Sequence, residues 1–246
     1  MLPGNTGDWF ILLILLTGSI ASIALNKLTP AAAITGGLLG WIIYKGGDIR
    51  GLLMLAAFFI LGTAATSWGK RRKQTVHANA GHQTQRTTGQ VFANAGIAAL
   101  AGLGALLFPS QKIVLQLMMA GSMSSAMADT LSSELGMVYG RRYINILTGK
   151  PDAKGQDGVI SLEGTLAGII GSALIAFISQ ASLAGHAAYI HFWIIVLAGT
   201  IGNLADSLLG ALFERKGLIT NNTVNFLNTL AGALTAGLLI HIPAFS

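Results

Sequence analysis

Two stretches decide the reading of this chain: A-M-A-D-T-L at 126–131 and N-L-A-D-S-L at 203–208. Each carries Ala-Asp-hydroxyl-Leu at the end of a long apolar run. The surroundings make an aspartate there unusual. The 246 residues are 52% hydrophobic and only 10% charged, against about 25% charged in an ordinary soluble domain. Mean hydropathy is +0.65. Such a chain cannot hide its apolar residues in a water-facing fold, so it is expected to be an integral membrane protein, an all-α polytopic helix bundle. A bundle packs continuously, so 1–246 is expected to be one domain, with 1–67 its less specific N-terminal helices and 68–241 its motif-bearing core.

Working outward from the two stretches, eight apolar segments can be counted: 9–25, 28–44, 51–67, 89–108, 112–130, 160–180, 189–209 and 223–241. Several approach the ~20 residues that cross the hydrocarbon as a helix. The second is short and carries Gly36, Gly37 and Gly40; if it re-enters instead of spanning, seven helices remain. Residues 1–8 hold no Lys or Arg, so there is no signal-peptide n-region, and 9–25 reads as a retained anchor. Trp9, Trp41, Tyr44, Trp68, Tyr139, Tyr143, Tyr189 and Trp193 fall near segment ends, as an interfacial belt requires.

Charge sets the topology. Twelve of the fifteen Lys and Arg residues lie at Lys27 or in the loops 68–88, 131–159 and 210–222; Lys45, Arg50 and Lys112 lie on the other side. The richer side is expected to be cytoplasmic, in a bacterial-type inner membrane, with both termini outside. The net charge of +6 therefore points to topology and to anionic lipid or phosphate, not to nucleic acid. Cysteine is absent, which excludes disulfides, thiolate metal sites and cysteine nucleophiles.

Seven of the nine acidic residues, Asp129, Glu134, Asp152, Asp157, Glu163, Asp206 and Glu214, fall in or beside the cytoplasmic loops. Asp8 and Asp48 lie at the other end, without polar company in the sequence. A bilayer penalises a buried carboxylate by several kcal/mol, so ionisable groups gathered at segment ends mark a site or a path. Five stations carry them. Arg86, Gln90 and Asn94 are spaced i, i+4, i+8 on one helix face. Ser122, Ser125, Asp129 and Ser132/Ser133 form a stripe. Glu134 follows about 140° round the helix from Asp129, so both reach one ion only if the helix loosens before Gly136. Lys154, Gly155, Asp157 and Gly158 belong to a glycine-flanked loop that runs into a helix and can cradle phosphate oxygens; no Walker A motif occurs. Asn203, Asp206 and Ser207 form the fourth station, and Asn221, Asn225 and Asn228 share one face in the fifth. Each alone also has a structural reading as a cap, a snorkelling arginine or a helix–helix hydrogen bond.

Both Ala-Asp elements end segments running from outside to cytoplasm, so segments 4–5 and 6–7 read as a parallel repeat. That repeat would bring Asp129 and Asp206 to equivalent places, where two carboxylates suit a hard cation such as Mg²⁺.

The motifs R-T-T-G-Q-V-F-A-N (86–94), A-D-T-L-S-S-E-L-G (128–136), G-Q-D-G-V-I-S-L-E-G (155–164), L-A-D-S-L-L-G-A (204–211) and N-N-T-V-N-F-L-N (221–228) together resemble an integral-membrane family. It contains plant phytyl-phosphate kinase and an animal transmembrane homologue. The family usually has tryptophan where Leu131 stands. The resemblance implies phosphorylation of an isoprenyl monophosphate to the diphosphate by a nucleoside triphosphate; Mg²⁺ is the expected cofactor and CTP a candidate co-substrate. Residue by residue it marks Arg86, Asp129, Glu134, Asp157 and Asp206, with Asn221 and Asn225. On this reading Asp129, Glu134 and Asp206 hold Mg²⁺, and Arg86 and Lys154 neutralise phosphates. A cytidylyltransferase acting on a lipid phosphate and a lipid or solute transporter are the alternatives.

Overall fold

The computed structural model describes residues 4, 6–74, 85–180 and 185–242. These form seven long helices and one short one: α1 (Thr6–Ala24), α2 (Pro30–Ser67), α3 (Lys70–Gln74), α4 (Thr88–Leu107), α5 (Lys112–Tyr139), α6 (Leu162–Gln180), α7 (His186–Leu212) and α8 (Asn221–Leu239). A two-stranded hairpin, β1 (Ile144–Asn145) with β2 (Val159–Ile160), is antiparallel. Five helices, α1, α2, α4, α6 and α7, are long and apolar enough to cross a membrane.

The helices are apolar outward and small inward. On α6, Leu162, Leu166, Ile170 and Phe177 are exposed, whereas Gly164, Gly168, Gly171, Ser172 and Ile175 are buried. Lipid tails are as apolar as leucine, so burying leucine gains little there; close backbone approach is what holds such helices together. α5 is the hub and packs against α2, α4, α6, α7 and α8. Every residue from Met119 to Ala128 is buried. A β-carbon on Gly121 would stand 2.6 Å from Gly232 O of α8, and one on Gly168 would stand 3.0 Å from Ala128 O.

The second apolar segment is helical and runs alongside α4. α2 is a run of helical turns broken at one residue, Asp48, which has φ 55° and ψ −158°, and there the chain doubles back. The β-carbon of a residue at 40 would meet Leu55 Cδ2 at 3.2 Å, which a straight helix of 1.5 Å rise per residue would hold ~22 Å away. The first limb runs the length of α4, from Gly36 beside Val91 to Gly46, whose β-carbon would overlap the Gly102 backbone. The segments at 28–44 and 51–67 are thus two limbs of one sharply bent hairpin.

Contacts fix the directions. Asp206 of α7 meets Asp129 of α5, and Gly199 of α7 packs against Ser124 of α5, so α5 and α7 run parallel. The starts of α4, α6 and α8, the ends of α5 and α7, and both ends of α2 gather at one end of the bundle. The start of α1 and the end of α8 lie toward the other, as the charge pattern predicts.

That other end is not without polar company. The buried Asp8 accepts from Lys45 Nζ at 3.0 Å, Gly4 N at 2.9 Å and Tyr44 Oη at 3.2 Å, joining α1 to α2. Asp48 pairs loosely with Lys112 at 3.7 Å. The sequence expectation of two isolated acids fails because the partners come from other segments.

Candidate active site

A cavity of about 910 Å³ opens at the end where the loops gather. Its lining draws on all five sequence stations. Arg86, Gln90 and Asn94 come from α4 and the residues before it; Asp129, Ser132, Ser133 and Glu134 from α5; Gly155, Asp157 and Gly158 from the loop. Asn203, Asp206 and Ser207 come from α7, and Asn221 and Asn225 from α8.

The centre is the meeting of the two Ala-Asp elements. Asp129 and Asp206 stand side by side. One turn deeper, Gly202 lies against Ser125 so closely that a β-carbon would overlap the serine hydroxyl. Small residues at 199 and 202 therefore let α7 approach α5 and bring the carboxyls together. Asn228 of α8 completes the group: its Nδ2 donates to Asp206 Oδ1 at 3.2 Å, and the Ser125 hydroxyl bonds its side-chain oxygen. Asn228 is fully buried, so its amide is satisfied by this network rather than by water.

Glu134 goes elsewhere. α5 does not loosen before Gly136 but stays helical to Tyr139. Glu134 Oε2 accepts from Lys73 Nζ at 2.6 Å. Among the described residues no three of His, Cys, Asp and Glu gather as a metal cluster. The expected trio Asp129, Glu134 and Asp206 is thus a contacting pair plus a salt-bridged third member.

Gln90 Oε1 accepts from Thr87 N at 2.9 Å, an N-terminal cap for α4, while Asn94 Nδ2 bonds Gln90 O at 2.8 Å. Both keep their place in the lining. Asn225 Nδ2 donates to Asn221 Oδ1 at 3.2 Å. The Arg86 guanidinium lies over Phe58, 5.4 Å from the ring centroid, and makes no ion pair among the described residues. Its backbone is fixed by Arg86 N donating to Lys27 O at 2.8 Å and Thr29 N donating to Arg86 O at 3.1 Å.

The loop between β1 and β2 roofs the cavity. Gly158 has φ +76° and lies so near α7 that a β-carbon would overlap that of Ala211. Arg215 donates twice to Asp152, at 2.5 and 3.3 Å, and Asn145 Nδ2 adds a third bond at 3.0 Å. The Arg215 guanidinium, with Asn145, holds the Asp152 carboxyl well below the usual carboxylate range. Lys154 does not line the cavity; its Nζ lies 3.4 Å from Arg72 O.

The family described as "Integral membrane protein DUF92" matches residues 12–233. The chain belongs to this family. The DUF92 match takes in every station above. The chain is 35% identical over 214 residues to "Uncharacterized membrane protein MJ0933" of Methanocaldococcus jannaschii, covering 85% of this chain and 83% of that protein. It is 30% identical over 234 residues to "Protein VTE6, chloroplastic" of Arabidopsis thaliana, covering 93% and 69%. It is 32% identical over 221 residues to "Uncharacterized membrane protein sll0875" of Synechocystis, covering 89% and 85%. No solved structure matches.

The cavity of this DUF92 protein also holds residues that sequence reasoning left out. Lys27, Lys70, Lys73 and Glu214 line it. Lys70 and Lys73 stand in the basic run that the topology argument had used up. Glu214 lies beside Asn221, a proximity of a loop and a helix start that no spacing rule reveals.

Proposed function

We propose that this cavity catalyses phosphoryl transfer from a nucleoside triphosphate to an isoprenyl monophosphate of phytyl type, giving the diphosphate, on the cytoplasmic face of the membrane. The observation that carries the reading is the lining itself: four cationic side chains and five carboxylates around one cavity at the basic end of a membrane bundle. A lipid phosphate has its head at that depth and its tail among helices. The resemblance of the motifs to the phytyl-phosphate kinase family, with similarity to VTE6 along 93% of the chain, supports the reading.

In the reaction a phosphate oxygen of the acceptor bonds to the γ-phosphorus. The bond from that phosphorus to the β,γ-bridging oxygen breaks, and the nucleoside diphosphate leaves with the electron pair. The acceptor is largely dianionic at neutral pH, since its second pKa is about 6, so no strong general base is needed. The protein must suppress repulsion between phosphates and align them. Arg86 supplies a fixed cation that makes no ion pair among the described residues. Asn203, Ser207, Asn221 and Asn225 supply hydrogen-bond donors, and the Gly155–Gly158 turn, with Gly155 at φ +79° and Gly158 at φ +76°, presents backbone N–H groups. The contacting Asp129 and Asp206 fit Mg²⁺, which takes one or two carboxylates with waters and substrate phosphates. When bound, that ion would neutralise charge on the transferred group. Glu134, engaged by Lys73, is the least suited of the expected trio to hold it.

The test is incubation of the purified protein in detergent with Mg²⁺, phytyl or geranylgeranyl monophosphate and each nucleoside triphosphate, with the lipid product identified by mass. A diphosphate that disappears in Asp129→Asn and Asp206→Asn supports the proposal. A CDP-lipid would replace it with a cytidylyltransferase. Absence of product with every nucleotide and both lipids would sink it.

A further inference from the structure

The charges around the cavity are sorted by wall. Lys27, Lys70, Lys73 and Arg86 come from the α1–α2 turn, the α2–α3 corner and the start of α4; Glu134 of α5 is paired with Lys73. Asp129, Asp157, Asp206 and Glu214 come from α5, the roof loop and the end of α7. The first group is a net cation and the second a net anion.

The cationic wall is built, not incidental. α2 ends at Ser67, and Gly69, at φ +63°, turns the chain so that α3 folds back. Lys73 is thereby buried at 6% exposure. Its Nζ donates to Ala65 O at 2.7 Å and to Glu134 at 2.6 Å. A third contact, to Thr66 O, is a long 3.4 Å, which leaves one N–H weakly engaged. Arg86 stands at Gly62, where a β-carbon would lie 3.1 Å from its Nη2. Lys73 and Arg86 therefore sit about one turn apart along α2, a rise of ~5 Å. A phosphate with three terminal oxygens can bridge two cations so spaced.

We propose that this wall, with Lys73 and Arg86 at its centre, is the subsite for a phosphate monoester, and that it binds the monoester without a divalent cation. The opposite, acidic wall is left for the nucleotide. The assignment rests on the proposed reaction only in naming the monoester as a lipid phosphate. Lys73 also caps the α2 C-terminus, so the test separates binding from folding.

The full chain in detergent with EDTA and no nucleotide is titrated with phytyl monophosphate, with phytol and inorganic phosphate as comparison probes. Melting temperature is followed in parallel. The expected result is saturable binding of phytyl monophosphate, tenfold or more weaker in Lys73→Gln, and not weakened in Asp206→Asn. Lys73→Arg is expected to restore most of it. If Lys73→Gln does not fold, the exposed Lys70 carries the test: Lys70→Gln is expected to weaken binding threefold or more. Competition by millimolar inorganic phosphate identifies the headgroup as the recognised part. Phytol binding as tightly, binding that ignores Lys73 and Lys70, or binding that requires Asp206 overturns the assignment. Turnover is not read, so a protein that binds the monoester yet makes no diphosphate sinks the proposed reaction and leaves this subsite standing.

Discussion

Gly202→Ala should damage the site from a distance. A β-carbon at 202 would overlap the Ser125 hydroxyl, and would stand 2.7 Å from Ser125 Cβ and 3.0 Å from Asn228 O. Rotating the hydroxyl away breaks its bond to the Asn228 side chain and still leaves the 2.7 Å contact. Ordinary contact begins near 3.4 Å, so α7 must withdraw from α5 by about 0.7 Å. Overpacking of this kind costs about 1–3 kcal/mol, and at ~2–4 °C per kcal/mol for a chain of this length the melting point falls by roughly 2–12 °C. One turn on, the same withdrawal separates Asp206 from Asp129. A displacement near 1 Å at reacting groups can cost about a hundredfold, so diphosphate formation should drop tenfold or more. The assay is a detergent melt beside product mass. Gly18→Ala, where a β-carbon meets nothing within 4 Å, is the control and should change neither. Wild-type melting and turnover in Gly202→Ala would refute the view that glycine sets the Asp129–Asp206 approach.

Gly158→Ala meets both a positive φ and the overlap with Ala211; limited proteolysis should cut the 140–161 loop at least several-fold faster, with melting of the helix bundle little changed. Glu134→Gln removes the partner of a Lys73 ammonium whose side chain is only 8% exposed; breaking such a pair costs about 3 kcal/mol, read as a lower melting temperature. Asp152 titrates below the usual carboxylate value of ~3.9 because Arg215 and Asn145 bond its ionised form. Its stabilisation of the roof is therefore complete above that value and lost only as pH falls through the lower folded one. Hydrogen exchange at the 144–160 hairpin should stay slow from pH 7 to about 4, and Asp152→Asn should exchange faster throughout that range. Equal exchange in the two proteins would show that Asp152 does not hold the roof.

Much of the site was legible because the membrane makes polarity informative. Amides and acids such as Asn94, Asp129, Asp206 and Asn225 stand out against apolar helix, and hydrocarbon tolerates them only where something binds or pairs them. Each station sends residues into one cavity, though Lys154, Ser122, Ser125 and Asn228 do not line it. Three things were hidden. Lys73 looks like any residue of a topogenic basic run, since topology counts charge and is blind to direction. Glu134 reads as a third ligand until α5 is seen to remain helical and the α3 turn delivers Lys73 to it. Asp8 looks isolated because its partners, Tyr44 and Lys45, lie 36 and 37 residues away.

The sequence by itself determined that the chain lies in a membrane, that it folds as a bundle of helices, that its polar residues gather at one kind of segment end, and its family. These follow from local quantities: run length, hydropathy, the side on which Lys and Arg fall, and motif identity. Only the tertiary structure decided which side chains touch. In a bundle with apolar surfaces inside and out, hydropathy does not say which face of a helix is buried. That choice belongs to glycine and serine packing between helices, as at Gly202 against Ser125 and Gly121 against Gly232. Such contacts between distant segments set the meeting of Asp129 with Asp206 and of Lys73 with Glu134.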